Sequence, residues 1–294
     1  MKLLTYEKDG KEQAGVLAAD GYHIYPLSDA GIACRTLNEW IVSAKEPQKE
    51  SLEKLSVSGR ETPYHLDNVN LKAPIPVPDQ DIICLGVNYL EHAEESARYK
   101  EEVFGGERTY AIYFSKRTNY AVGDGAYIDS HQELVDKLDY ESELAVIIGK
   151  EAKNVKEEDV ADYIFGYTIM NDVSARDVQL RHNQWYFGKS LDGFAVLGPW
   201  IVTAEEIPFP PKLNIYAKVN GELRQSSNTE LLIFDVSHAV SELSQGMTLK
   251  PGTIISMGTP AGVGMGFDPP RFLKPGDVVE CGIEKIGTLT NTVK

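Results

Sequence analysis

Between Asp139 and Gly149 the chain reads DYESELAVIIG, an apolar run entered through two acidic residues, Glu141 and Glu143, spaced two apart. A run of that kind bounded by glycine predicts a buried strand, and residues i and i+2 of a strand share a face. Two carboxylates side by side at the mouth of a buried strand repel each other and resist desolvation, so they need protonation, a basic partner or a cation. Plain exposed surface is the alternative for such a pair taken alone. A second apolar strand, from Gly166 to Met170 within GYTIMNDVSARD, ends at a third acid, Asp172. Taken alone, Asp172 is a turn-forming or capping aspartate, with Ser174 and Asp177 marking a helix start beyond it. Together, Glu141, Glu143 and Asp172 form an all-oxygen set. Such a set favours Mg²⁺, Mn²⁺ or Ca²⁺ over zinc or copper and leaves positions open for water or substrate.

The rest of the chain predicts an α+β, β-rich protein. Residues 1–72 read as a small α+β domain with a strand from Leu3 to Tyr6, a turn at Asp9-Gly10 and a strand from Gly15 to Ala19. A helix announced by the capping pair Thr36 and Glu39 follows, and a charged helix runs through Glu50 to Leu55. The proline-rich segment from Ala73 to Pro78 disfavours helix and suits a connector, which places a second domain at 73–294. There, short strands punctuated by glycine do not alternate regularly with helices, so a doubly wound parallel sheet is not expected. Beyond Pro199 the pattern reads as nearly all strand and turn, with a hairpin signal at Asn220-Gly221.

Net charge narrows the partners. With 29 basic and 44 acidic side chains the chain carries −15, the wrong sign for nucleic acid or an anionic membrane. No stretch approaches the roughly 18 apolar residues of a membrane span, and a cytoplasmic location is expected. Three well-separated cysteines, Cys34, Cys84 and Cys281, suggest neither a disulfide framework nor a zinc site. Gly262-Val-Gly264-Met-Gly266 resembles a nucleotide loop, but Phe267-Asp-Pro-Pro-Arg271 cannot open the helix such a loop requires, and no organic cofactor is expected.

Two further pairs fit chemistry by spacing. His92 and Glu95 are helical neighbours if the polar stretch from Asn88 to Lys100 is a helix, an arrangement suited to a carboxylate-oriented imidazole base. Arg176 and Gln179 would share a helix face after Asp172. Exposed pairs without a role are the alternative in both cases.

Four segments in this order, Glu141-Ser-Glu143, Asn171-Asp172-Val-Ser-Ala-Arg-Asp177, Gly188-Lys-Ser-Leu-Asp192 and Gly258-Thr-Pro-Ala-Gly262, resemble the motifs of the fumarylacetoacetate hydrolase superfamily from about Pro74 to the C-terminus. The resemblance implies a mixed β-roll catalytic fold, Mg²⁺ or Mn²⁺ on Glu141, Glu143 and Asp172, and a homodimer. It also implies that Lys189 points to the substrate and that Arg176, Gln179 and Thr259 bind its carboxylate or carbonyl. Asn88-Tyr89-x-x-His92-x-x-Glu95 resembles the lid motif whose His and Glu activate water in hydrolytic members. The expected activity is carbon–carbon bond cleavage of a small 2-oxo acid through a metal-stabilised enolate, either acylpyruvate-type hydrolysis or oxaloacetate-type decarboxylation. Isomerisation of an unsaturated 2-oxo or 2-hydroxy dicarboxylate is the alternative, and a non-catalytic metal-binding scaffold or regulator the rival of another class. The far wall of the pocket is expected from 90–108 and from loops near Trp185 and Tyr186.

Overall fold

A computed structural model describes residues 1–62, 64–99 and 109–294. The first strands are β1 (Lys2–Lys8), β2 (Lys11–Leu17) and β3 (Ile24–Pro26), followed by α1 (Leu37–Ser43), α2 (Glu46–Ser56) and β4 (Asn70–Lys72). Next come β5 (Ile82–Gly86), α3 (Leu90–Tyr99), β6 (Ile112–Lys116), β7 (Tyr127–Ile128), β8 (Leu138–Asp139), β9 (Ser142–Ile148) and β10 (Ile164–Asp172). After β11 (Ser174–Ala175) the chain forms α4 (Arg176–Arg181), α5 (Tyr186–Lys189), β12 (Ala195–Thr203), β13 (Asn214–Val219) and β14 (Glu222–Asn228). It closes with α6 (Val236–Gly246), β15 (Ile254–Ser256), β16 (Val278–Ile283) and β17 (Gly287–Val293).

A ten-stranded mixed sheet runs in the order β3-β2-β1-β12-β10-β9-β15-β5-β6, with β4 added on β1; a five-stranded sheet runs β14-β13-β16-β17-β7. Strand β9 sits centrally in the larger sheet, between β10 and β15, with all seven of its residues buried. That position explains the apolar run: no face of β9 meets water, so alternation gives way to continuous Leu, Ala, Val and Ile. The fold is α+β and β-rich, with mixed sheets and few helices.

The N-terminal strands continue the main sheet. Leu3 pairs with Ile201 and Lys2 with Val202 across β1 and β12. Trp40 of α1 and Leu52 of α2 belong to the same core cluster as Ile147 of β9 and Met170 of β10. Thr36 caps α1 by accepting from the Glu39 amide, while the Glu39 carboxylate reaches back to the amide of Arg35 rather than of Thr36. The Asn220-Gly221 hairpin forms with both residues at positive φ.

Two local expectations are corrected. Ser174 and Asp177 flank the start of α4 without capping it: Ser174 Oγ donates to the Asp172 carbonyl, and Asp177, in the first turn of the helix, accepts from the amide of Asp136 before β8. The region beyond Pro199 also contains a three-turn helix, α6, capped by Asp235 and buried through Val236, Ala239, Val240 and Leu243. That i, i+3, i+4, i+7 spacing is a helical one.

Candidate active site

The three acids converge. Glu141 precedes β9, Glu143 lies in it and Asp172 closes the adjacent β10; one carboxylate oxygen from each lies within 4.8 Å of the others, and all three residues are buried. Antiparallel pairing of Met170 with Glu143 sets the register, and the Asp172 amide donates to the Glu141 carbonyl.

Three buried cations surround them. Lys189 Nζ bridges Glu141 Oε2 at 2.6 Å and Asp172 Oδ2 at 2.8 Å. Arg176 Nη1 pairs with Glu141 Oε1 at 2.7 Å, and Arg176 Nε with Asp139 Oδ2 at 2.8 Å. Lys116, at the end of β6, donates to Asp172 Oδ1 and to the Val173 carbonyl. Asp139, Glu141, Glu143 and Asp172 therefore face Lys116, Arg176 and Lys189, all of them buried, leaving one carboxylate in excess.

That excess falls on Glu143. Burial, and then the neighbouring Asp172 and Glu141 carboxylates, push its carboxyl well above the usual range, although Ser256 Oγ and the Gly258 amide both donate to it. Glu141 is the opposite case. Burial works against its charge, but Lys189 and Arg176 hold it well below the usual range. Lys189, also opposed by burial, is held above an ordinary lysine by Asp172 and Glu141. Lys116 is lowered, since burial outweighs its attraction to Asp172. A buried all-oxygen trio carrying one carboxyl that resists ionisation fits a hard divalent cation, whose charge would offset the excess.

Of the remaining expected residues, His92, Gln179 and Thr259 line one cavity together with Glu141, Glu143, Arg176 and Lys189. His92 Nδ1 lies 2.9 Å from Glu95 Oε2, both residues being buried on α3. Glu95 Oε1 in turn accepts from the Gly262 amide at 3.0 Å, and a Cβ on Gly266 would stand 1.6 Å from that oxygen. Gly188 is similarly pressed: a Cβ there would stand 2.4 Å from the Gln179 amide nitrogen, so glycine lets α5 bring Lys189 against α4. Gln179 Oε1 accepts from Arg176 Nη1. Arg176 Nη2 is buried with no hydrogen-bond partner among the described residues. The Thr259 hydroxyl donates to the Ser142 carbonyl and accepts from Gln225 Nε2, so a contact from Thr259 to substrate would use its amide or exchange that bond. Part of the expected far wall, 100–108, lies outside the described residues; the described part contributes His92, Ser96 and Trp185, with Trp185 packed edge-on to Phe114 and against Gly86.

Residues 81–294 match the family model described as fumarylacetoacetate (FAA) hydrolase C-terminal. The chain belongs to this family. An oxaloacetate tautomerase of Bacillus subtilis (strain 168) is 43% identical over 262 residues, which are 88% of this chain and 81% of that protein. A solved fumarylacetoacetate hydrolase from psychrophilic Exiguobacterium antarcticum superposes with a TM-score of 0.84 at 40% identity, covering 100% of this chain and 99% of that one. A maleylpyruvate hydrolase from Sphingobium sp. SYK-6, solved with manganese(II) and pyruvate, gives a TM-score of 0.78 at 28% identity, covering 100% of this chain and 98% of its own. Membership of this enzyme superfamily supports a catalytic role. No helix among the described residues is long and apolar enough to cross a membrane.

In this fumarylacetoacetate hydrolase-family chain, two charged members of the cluster escape a reading by motif. Lys116 ends Ile112–Lys116 and looks like the polar stop of a strand, yet it is fully buried. Asp139 looks like a turn residue beside the acidic pair, yet it holds Arg176. Their neighbours carry no signal: Lys116 stands between Ser115 and Arg117, and Asp139 leads into Tyr140-Glu141-Ser142.

Proposed function

We propose that this chain is a divalent-metal-dependent enzyme that interconverts the keto and enol forms of a small 2-oxo dicarboxylate of the oxaloacetate type. The observation that carries the reading is one cavity lined by Glu141 and Glu143 of the carboxylate trio, by Arg176, whose buried Nη2 has no partner among the described residues, and by His92, which is paired with Glu95. The 43% identity to an oxaloacetate tautomerase supports the choice of substrate.

Glu141, Glu143 and Asp172 would hold the cation, which when bound polarises a 2-oxo group and makes the neighbouring C–H more acidic. Lys189 keeps its proton between Glu141 and Asp172 and adds positive charge where the oxyanion develops. Arg176 offers Nη2 to a substrate carboxylate. Glu95 fixes His92 through Nδ1 and stabilises the imidazolium, leaving Nε2 as the nitrogen for substrate. His92 Nε2 removes a C3 proton and the resulting imidazolium returns that proton to the 2-oxygen, converting keto to enol; the reverse transfers regenerate the keto form. The walls provided by Leu85, Phe114, Leu180 and Trp185 keep bulk water from competing for that proton.

The maleylpyruvate hydrolase neighbour favours a second reading, in which the same electron flow follows cleavage of a carbon–carbon bond, by loss of CO₂ or by attack of water. Freshly dissolved oxaloacetate separates the two. Ultraviolet absorbance follows the enol, a coupled dehydrogenase follows pyruvate release, and an acylpyruvate tests hydrolysis, each with Mg²⁺ or Mn²⁺ and with a chelator. The expected result is chelator-sensitive acceleration of keto–enol equilibration that outpaces pyruvate release. Metal-loaded protein that accelerates none of the three reactions would refute the proposal.

A further inference from the structure

The glycine-rich segment set aside as a nucleotide loop does cradle anions, but they are the protein's own side chains. The Gly264 and Met265 amides donate to Asp139 Oδ1 and Oδ2 at 2.6 and 3.0 Å, and the Tyr140 amide adds a third bond at 3.0 Å. The fourth donor is Arg176 Nε, at 2.8 Å. Asp139 is fully buried and is absent from the cavity lining, so its four donors leave it no direct part in chemistry.

The guanidinium consequently has one orientation. Nε is fixed by Asp139, Nη1 by Glu141 and Gln179, and Nη2 has no hydrogen-bond partner among the described residues. A planar fork held along two of its edges aims the third, and a lysine in its place would be a point charge without that direction. The loop amides fix Asp139 in turn. A Cβ on Gly264 would stand 2.6 Å from Asp139 Oδ1, so glycine is what allows this contact.

We propose that Asp139, seated on the Gly264 and Met265 amides, is a positioning residue that aims Arg176 Nη2 at the carboxylate of the bound substrate. This rests on the reading above that the cavity takes a small anionic 2-oxo acid. It adds a determinant of anion affinity that lies outside the cavity itself.

Oxalate, a planar dianion that cannot turn over, tests the aim without relying on catalysis. Calorimetric titration of oxalate into Mn²⁺-loaded protein should show affinity at least about tenfold weaker in Asp139→Asn, because the negative charge that holds Arg176 Nε is gone and the amide NH₂ must face either Arg176 Nε and the Met265 amide or the Gly264 and Tyr140 amides, which unseats the group either way. Mn²⁺ affinity should stay within about threefold of wild type, and KM for substrate should rise more than kcat falls, a pattern that general loosening of the fold does not give. Arg176→Lys keeps the charge, loses the directed fork and should weaken oxalate similarly; it decides the matter if Asp139→Asn does not fold. Oxalate affinity within threefold of wild type in Arg176→Lys or in folded Asp139→Asn overturns the proposal, as does wild-type protein that binds Mn²⁺ but not oxalate. Wild type that binds oxalate yet leaves oxaloacetate unchanged would overturn the tautomerase reading while leaving the aim of Arg176 intact.

Discussion

Replacing Glu95 by Gln perturbs the proposed proton-transfer pair with minimal change of shape. The carboxylate serves two partners on different oxygens: Oε1 accepts from the Gly262 amide at 3.0 Å and Oε2 lies 2.9 Å from His92 Nδ1. An amide offers one oxygen and one NH₂, so whichever way it lies one partner loses its acceptor, and the negative charge beside the imidazole is gone in both cases. Gly266 leaves no room to evade this, since its Cα already touches the Glu95 head group. A hydrogen bond to a charged group contributes about 1.5–3 kcal/mol. At about 1.4 kcal/mol per factor of ten, its loss in the transition state lowers kcat roughly ten- to a hundredfold. Arg176 and Lys189 are untouched, so KM should move by less than about threefold. Steady-state kinetics of oxaloacetate equilibration measure both numbers. A kcat within about threefold of wild type, in a folded variant, would show that His92 needs no carboxylate partner and that the proposed proton route is wrong.

Glu143→Gln should separate apo stability from metal binding. Ionised Glu143 is disfavoured by burial and by Asp172 and Glu141, so chelator-treated variant should melt no lower than wild type, and Mn²⁺ should raise the Tm of wild type but not of the variant. A metal-free variant several degrees less stable would mean that Ser256 and Gly258 alone satisfy the carboxylate. Thiol accessibility checks the core: Cys84 and Cys281 are buried, burial pushes the Cys281 thiol up to about 12, and Cys34 is partly exposed. An aromatic disulfide reagent at pH 8 should therefore titrate one thiol per native chain and three in denaturant, and more than one fast-reacting thiol in the native protein would contradict the packing described.

The carboxylate trio was legible because period-two spacing puts Glu141 and Glu143 on one strand face and because Asp172 ends a second apolar strand. The His92–Glu95 pair was legible for the same local reason at helical spacing. What spacing does not carry is long-range partnership. Nothing near Leu3 announces Ile201 as its neighbour, nor does anything near Lys116 announce Asp172, 56 positions on. Asp139 was hidden differently, since its partners are the backbone amides of Gly264 and Met265, which any residue could supply. Helix α6 was legible from its Val236, Ala239, Val240, Leu243 face, but an expectation of continuing strands passed over it.

The four buried carboxylates Asp139, Glu141, Glu143 and Asp172 against the three buried bases Lys116, Arg176 and Lys189 make the centre of this protein a poor place from the standpoint of folding. Taking charges out of water costs several kcal/mol per ion even when they are paired, and well-packed apolar replacements of such clusters are often neutral or stabilising. The sheet around β9 is otherwise continuous apolar packing that could accept them. A heat-based screen of random variants that ignores activity should therefore accumulate neutral substitutions at these positions before others, and the order in which they are lost would rank how much strain each charge holds in reserve for a ligand.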